Sequence, residues 1–375
     1  MSGEGIAIMA IYAQLFASAC NNSYVDLASE ALGRIAWEKR ISGDGVEQTE
    51  TRLLLSSANT VLVVDDEIIY ALDGAGKSLW SKEKWRNTPV VIRNEAIYHT
   101  SPADKTIMEA VDFKNNLQVK DFWIPDTGKY SSLVLFEPSR EGLVAQVQYM
   151  PTPVEGEKSF IVYSVKQDGL GYEWSRSFDE EVSVAMPVFN PISGLLVTTT
   201  QKEVLILDVG SGGAENVSVR NFPLPYSGEK LWLSCDDRNY LYWAGSDKKS
   251  TGLTVTDLSG KEIWQFITDL RPADMTMPPI VGSDHVYLLH RKMLTAISNG
   301  IRQWTFKAKT EEFRSATALS DGTILVVEGN ILYRLESNGE ILFQVELPEK
   351  LITPPVLDAA GNIYVAGRKT VFSIQ

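Results

Sequence analysis

The chain is nearly without cysteine and histidine. It has two cysteines, Cys20 and Cys235, and three histidines, His99, His285 and His290, in 375 residues. Two thiols cannot build a disulfide framework or a metal centre of several thiolates. His285 and His290 frame the segment HVYLLH. Residues five apart on a strand point to opposite faces, so these two are not joint ligands there. All three histidines read as strand or loop residues without special chemistry. Positive charge is also short, with 35 Lys+Arg against 48 Asp+Glu and a formal net charge of −13. No dense basic run compensates. Nucleic acid and anionic membrane surfaces, which are bound through phosphate neutralisation, are excluded as partners. No Gly-x-Ser-x-Gly elbow and no Walker loop occurs. The one long apolar run, GIAIMAIYAQLFASAC, is too short for a comfortable membrane span.

Hydrophobic residues make up 44% of the chain and aromatic residues 10%, a globular composition able to bury a sizeable core. The apolar run ends in small residues. It resembles the hydrophobic part of a secretory signal, and FASAC resembles a bacterial lipobox ahead of Cys20. That reading divides the chain into a leader over 1–20, a polar tether over 21–32 (with NNSYVDLASEA after Cys20) and one domain over 33–375. It makes Cys20 the candidate lipidation site and the only point of membrane contact. It departs from the usual pattern in carrying Glu4 where a basic start is expected and Ala17 three residues before the cysteine. The alternative is a short apolar leader with a buried free cysteine.

One phrase is repeated along the chain. YALDGAGKSLW ends at Trp80, LTVTDLSGKEIW at Trp264, LTAISNGIRQW at Trp304 and LYRLESNGEILF at Phe343. Weaker copies end at Trp123, Trp174 and Phe222, and ALGRIAW, ending at Trp37, is the last half of another. The anchoring aromatics are spaced by about 39–51 residues, the range of propeller repeats. The phrase is therefore a building unit, and one copy is not a site.

Runs rich in Val, Ile, Leu and Tyr precede each phrase and are broken by Ser-Asp, Asp-Gly or Ala-Gly turns, a hairpin signal. Pro89, Pro187, Pro278–Pro279 and Pro354–Pro355 open several of them, where no ladder donor is lost. Each unit reads as four short antiparallel strands, with the tryptophan on the fourth. The expected fold is all-β, an eight-bladed β-propeller; the alternative is seven blades, with residues 129–222 forming one distorted unit. After Phe343 only three strands remain, so the orphan GRIAW strand, residues about 33–40, is expected to supply the fourth strand of the last blade and close the circle.

YALDGAGKSLW and TDLSGKEIW resemble the PQQ-like (pyrrolo-quinoline quinone) propeller repeat, whose signature is an alanine, an aspartate, a Gly-Lys turn and a tryptophan. The resemblance covers nearly all of the chain after residue 30. It implies that the glycine makes the turn and the tryptophan packs between blades, roles that fall on Gly76 and Trp80, Gly260 and Trp264, and Gly300 and Trp304. Trp37, Trp123 and Trp174 are the remaining repeat tryptophans. Quinoprotein dehydrogenases of the family carry a vicinal cysteine pair and acidic and amide ligands for calcium; this chain has no adjacent cysteines. The expectation is no catalytic residue, no metal and no cofactor, with PQQ implied by the family name only.

SCDDRN around Cys235 reads as a strand followed by a turn with solvated aspartates, and DVGSGGAEN as a turn within its unit. The other branch of the family, BamB-like lipoproteins of outer-membrane β-barrel assembly, implies a monomeric, lipid-anchored periplasmic or outer-membrane scaffold. Such a scaffold binds an envelope protein partner. The alternatives are a secreted or soluble periplasmic protein, and a PQQ-dependent oxidoreductase. Candidate functional loops are Trp123–Tyr130, Phe222–Lys230 and Asp269–Met277.

Overall fold

Runs such as Val61–Val64 and Ile324–Glu328 combine β-branched residues with glycine or aspartate stops, so they form short strands. The computed structural model describes residues 24–25, 32–41, 51–55, 60–65, 67–84, 90–93, 96–103, 107–112, 118–123, 130–136, 143–149, 160–165, 172–178, 187–190, 193–200, 202–208, 219–227, 231–246, 251–358 and 360–375. These contain 33 strands and one short 3-10 turn, Pro272–Asp274. No described helix is long and apolar enough to cross a membrane. The strands form eight sheets, seven of four strands and one of five. The fold is an all-β propeller fold made of consecutive antiparallel strands.

The sequence reading has one domain over 33–375. By their contacts, the described residues fall into two compact units, one within Trp85–Pro272 and the other within Asn22–Lys84 and Ala273–Gln375. The first holds the sheets of residues 90–123, 130–178, 188–223 and 232–268. The second holds the sheets of residues 52–83 and 280–307, and two sheets that recruit an N-terminal strand. In one of these, Ile35–Arg40 pairs antiparallel with the C-terminal strand Thr370–Ile374, Trp37 opposite Ser373. The orphan GRIAW strand thus completes the last sheet, as its sequence required. In the other, Tyr24–Val25 lies parallel to Phe313–Leu319. These two residues belong to the segment read as a tether, so that part of it is docked in a sheet.

Inner strands are covered on both faces and therefore read as unbroken apolar runs. Adjacent sheets meet through those faces. In the second unit, Leu53, Val61 and Val63 pack with Val356, Tyr364 and Val371. In the first, Val197, Val204 and Phe222 pack with Leu233, Leu241 and Trp243. Pro187, Pro279 and Pro355 stand immediately before the first strands Val188–Asn190, Ile280–Val281 and Val356–Leu357, the position where a missing N–H costs no ladder bond.

A β-bulge recurs on the fourth strand. In six sheets the residue directly before the repeat aromatic is skipped in the pairing: Ala36, Leu79, Glu173, Ile263, Gln303 and Leu342. A bulge bends the strand and re-aims the side chain that follows it. It also explains three exposed apolar residues, Leu79, Ile263 and Leu342, all more than 40% accessible. The sheet of residues 90–123 differs. Its shift skips Val119, so Trp123, at the strand end opposite Ile107, is not in register with Trp80.

Candidate functional site

The third-to-fourth strand turn is built by one carboxylate. In YALDGAGKSLW, Asp73 Oδ1 accepts the N–H of Ala75 at 3.0 Å and of Lys77 at 2.9 Å. The backbone closes with Asp73 N–H to Lys77 O and Gly76 N–H to Asp73 O, both 2.9 Å. The fourth residue must then take a left-handed conformation, and Gly76 does so at φ 79°. Asp257 to Lys261 repeats the arrangement with Gly260 at φ 81°. There the Ser259 hydroxyl and N–H, followed by the Lys261 N–H, hold the Asp257 carboxyl below its ordinary pKa. The turn before Trp304 is tighter. Ser298 pairs with Ile301, and Asn299 (φ 48°) and Gly300 (φ 76°) both adopt positive φ, the signature of a two-residue type I′ hairpin.

The turn glycines dock aromatics across sheets. A Cβ on Gly76 would lie 2.7 Å from the Trp37 ring, and one on Gly260 2.7 Å from the Phe222 ring. Gly339 stands in the same relation to Trp304, and Gly33 to Phe343, at 2.8 Å. Within the second unit the contact is reinforced by hydrogen bonds: Trp37 Nε1 donates to Gly74 O at 2.9 Å, and Trp304 Nε1 to Ser337 O at 2.6 Å. Besides making its turn, Gly76 receives the aromatic of the preceding copy. Gly33 and Gly339 share this role and were not singled out in the sequence, although each lies four residues before its own repeat aromatic, as Gly76 does. Trp80 and Trp264 are half-buried beside their bulges; Trp264 meets Tyr242 edge-on with centroids 6.5 Å apart. Trp174 holds the same register position, opposite Ser164.

The acidic pair after Cys235 splits into two roles. Asp237 is exposed, but Asp236 is buried and caps its turn, a departure from the expected solvated pair. Its Oδ1 accepts the Arg238 and Tyr240 N–H groups at 3.1 and 2.8 Å. Its Oδ2 accepts the Tyr242 hydroxyl at 3.0 Å and pairs with Arg238 Nη2 at 2.8 Å. Burial first, then the Asp236 charge and hydrogen bond, push the Tyr242 phenol far up. Asp358 repeats the device, with Ala360 and Asn362 N–H on Oδ1 and the Tyr364 hydroxyl on Oδ2 at 2.8 Å.

The connecting loops are also occupied by packing. Of Trp123–Tyr130, residues 124–129 lie outside the described residues, as do 228–230 of Phe222–Lys230 and the candidate Cys20. Within the latter loop Tyr226 is buried, accepts the Thr254 hydroxyl at 2.8 Å and lies against Gly245. In Asp269–Met277, the Pro272 carbonyl accepts Trp232 Nε1 at 3.1 Å, and Met275 and Met277 are buried. Asp269, Arg271, Ala273 and Asp274 remain exposed. The loop before Phe313 is clamped by the fully buried Glu328, whose Oε1 accepts Lys309 N–H, Glu311 N–H and the Thr310 hydroxyl at 2.8–2.9 Å. Burial would raise this carboxyl, but those donors outweigh it and hold the pKa down. Tyr333 beside it is pushed up to about 12 by burial and the Glu328 charge.

His290 is buried with Nδ1 unpartnered, and burial lowers its pKa to about 4 against a smaller opposing pull from Asp274. His285 lies among the rings of Tyr287 and Trp304, and His99 sits 3.6 Å from Glu109. The three do not converge. Among the described residues no three His, Cys, Asp or Glu side chains are placed to hold a metal ion. The buried carboxylates Asp236, Glu328 and Asp358 are committed to turns and loops, and Glu109 faces His99. Among the described residues, this donor set does not fit a calcium-and-quinone centre. Cys235 is buried at the end of Trp232–Cys235.

No family model matches the chain, and no curated protein matches it in sequence. Solved structures do. BamB from Moraxella catarrhalis is similar at 13% identity and a TM-score of 0.60, over 92% of this chain and 99% of that one. The quinohemoprotein alcohol dehydrogenase ADHIIG from Pseudomonas putida HK5 is similar at 11% identity and a TM-score of 0.65, over 100% of this chain and 82% of that one. The quinohemoprotein alcohol dehydrogenase from Comamonas testosteroni gives 11% and 0.61 over the same shares. At such identities the likeness establishes a fold, and that fold is the PQQ-repeat β-propeller common to these proteins.

Proposed function

We propose that this chain is a non-catalytic propeller scaffold of the bacterial envelope that binds a protein partner through its face loops, in outer-membrane protein assembly. The observation that supports this most is that the repeat's chemistry is spent on architecture. Its aspartates cap turns, its glycines receive rings, and its histidines stand apart. Catalysis needs a base or nucleophile with an orienting partner, and no such set is assembled among the described residues. BamB, at a TM-score of 0.60, and the dehydrogenases, at 0.65 and 0.61, share the fold alike. Fold alone does not choose between them.

The test is an activity screen of purified protein with alcohols and sugars, quinone, calcium and an electron-accepting dye. The scaffold reading expects no turnover above protein-free controls. Robust turnover lost on removing the quinone would establish the oxidoreductase instead. A tagged chain recovered from envelope extracts should bring down the same protein reproducibly.

Anchoring belongs to the same proposal. Lipidation of Cys20 would hold the body at the membrane surface. Intact mass of the mature chain decides whether Cys20 carries a lipid. An unmodified leader on a soluble chain would remove the anchor.

A further inference from the structure

The first strands of neighbouring sheets are short; Ile280–Val281 and Val356–Leu357 pair over two residues each. Phe313–Leu319 is seven residues long, and all of it except Arg314 is buried. One of its edges pairs with Ile324–Glu328. Leu319 N–H donates to Thr323 O at 2.9 Å. By the alternation of an antiparallel ladder, Ser315 and Thr317 face that neighbour too, and Ala316 and Ala318 turn their amides to the opposite edge. The strand is held from the side by the Ser315 and Thr317 hydroxyls, which donate to the Thr353 and Pro355 carbonyls at 3.2 and 2.8 Å.

Among the described residues, that opposite edge is paired at one end only. Tyr24–Val25 lies on it in parallel register, Tyr24 opposite Ala318 and Val25 opposite Leu319. Two residues upstream, Ala316 N–H meets only the Met277 thioether, at 3.3 Å, a weak acceptor that a peptide carbonyl outcompetes. The free chain therefore already shows what this edge accepts, namely extended backbone running parallel to it.

We propose that the Ala316–Leu319 edge is a strand-acceptor site for an extended polypeptide, latched in the free protein by Tyr24–Val25 and opened to an extended, proline-free segment of a partner protein. Recognition is by main-chain hydrogen bonds, with one carbonyl replacing Met277 Sδ at Ala316, as in strand addition to a sheet edge. The partner half of this proposal rests on the scaffold reading above; the latch does not.

Amide hydrogen exchange on the full chain tests it. Substituting Tyr24→Pro and Val25→Pro should speed exchange of the Ala318 amide, the one of these amides that faces the latch, at least tenfold and leave the other sheets unchanged. A synthetic peptide NSYVDLA, the sequence of residues 22–28, should restore protection, and the same peptide carrying proline at its valine should not. Unchanged exchange in a variant that melts like the wild type overturns the latch. A peptide that fails to restore protection overturns the acceptor site. If the proline pair unfolds the chain, a Tyr24→Gly, Val25→Gly chain is compared with wild type for fluorescent-peptide anisotropy. The glycine chain must bind at least tenfold more tightly, and equal binding overturns the proposal. Capture of the same envelope protein, equally by wild-type and glycine chains, would refute partner displacement while leaving the scaffold reading in place.

Discussion

Gly76→Ala against Gly322→Ala isolates the aromatic dock from backbone strain. Both glycines sit in the left-handed region, at φ 79° and 81°, so alanine costs each about 1–2 kcal/mol of conformational strain. They differ in what the new methyl meets. At Gly322 the nearest atoms are Asp284 Oδ2 at 3.5 Å and Ser337 Cβ at 3.8 Å, ordinary contact distances. At Gly76 the methyl falls 2.7 Å from two carbons of the Trp37 ring. Overpacking of this kind typically adds about 1–3 kcal/mol. Trp37 is half-buried and can give ground outward, at the cost of its Nε1 bond to Gly74 O, so the excess should fall at about 1–2 kcal/mol.

Denaturant unfolding followed by tryptophan emission reads the difference as a lower midpoint for Gly76→Ala than for Gly322→Ala. A double-mutant cycle sharpens it: in a Trp37→Ala background, Gly76→Ala should cost only the strain component. Equal midpoints for the two glycine variants, or no coupling to Trp37, would refute the dock as the reason for that glycine.

His290 is buried neutral, with its pKa lowered from 6.5 to about 4. Its contribution is therefore fully present above pH 6.5 and is lost as pH falls toward 4, by about 3 kcal/mol for a shift of that size; His290→Leu should flatten that part of the pH–stability curve, and parallel curves would count against it. Asp236→Asn should cost about 1–3 kcal/mol because Tyr242, Arg238 and two amides lose a charged acceptor, whereas Asp237→Asn should stay within about 0.5 kcal/mol; denaturation midpoints check both. Deletion to Ala28 removes the short parallel pair and should cost about 1–2 kcal/mol. Deletion to Arg40 also removes Ile35–Arg40, the ring contact on Gly33 and the ring contact on Gly76, and should melt far lower. A melting temperature equal to full length would contradict the closing strand.

Turn chemistry was the legible part of this sequence. An Asp-x-x-Gly-Lys run sets its own hydrogen bonds within five residues, so YALDGAGKSLW announces its turn, its flanking strands and its left-handed glycine without help from the rest of the chain. Closure was legible by strand arithmetic, since three strands after Phe343 call for a fourth. Three things were not. The ring that lies against each turn glycine depends on sheet-to-sheet packing, so nothing in YALDGAGKSLW itself names Trp37 as the neighbour of Gly76. The bulges at Leu79, Ile263 and Leu342 leave no mark in the period, because a skipped residue is identifiable only from the strand it fails to pair with. The burial of Asp236 was hidden because the hydroxyl that satisfies it belongs to Tyr242, on the following strand.

The same distinction locates where function can be sought. A feature shared by several repeats, such as the turn aspartate, the docked ring or the bulge, is explained by the need to stack one sheet on the next. Features found once are not explained that way. The edge of Phe313–Leu319 is such a feature among the described residues: it carries an amide on a sulfur and a foreign strand two residues long. Sheet stacking does not require the added strand. A sheet edge that is buried and incompletely paired is either a liability to be covered or a site to be used. Among the described residues, Tyr24–Val25 covers only the end of it. A protective strand would be expected to run the length of the edge, so the short cover favours a site whose latch must be able to leave.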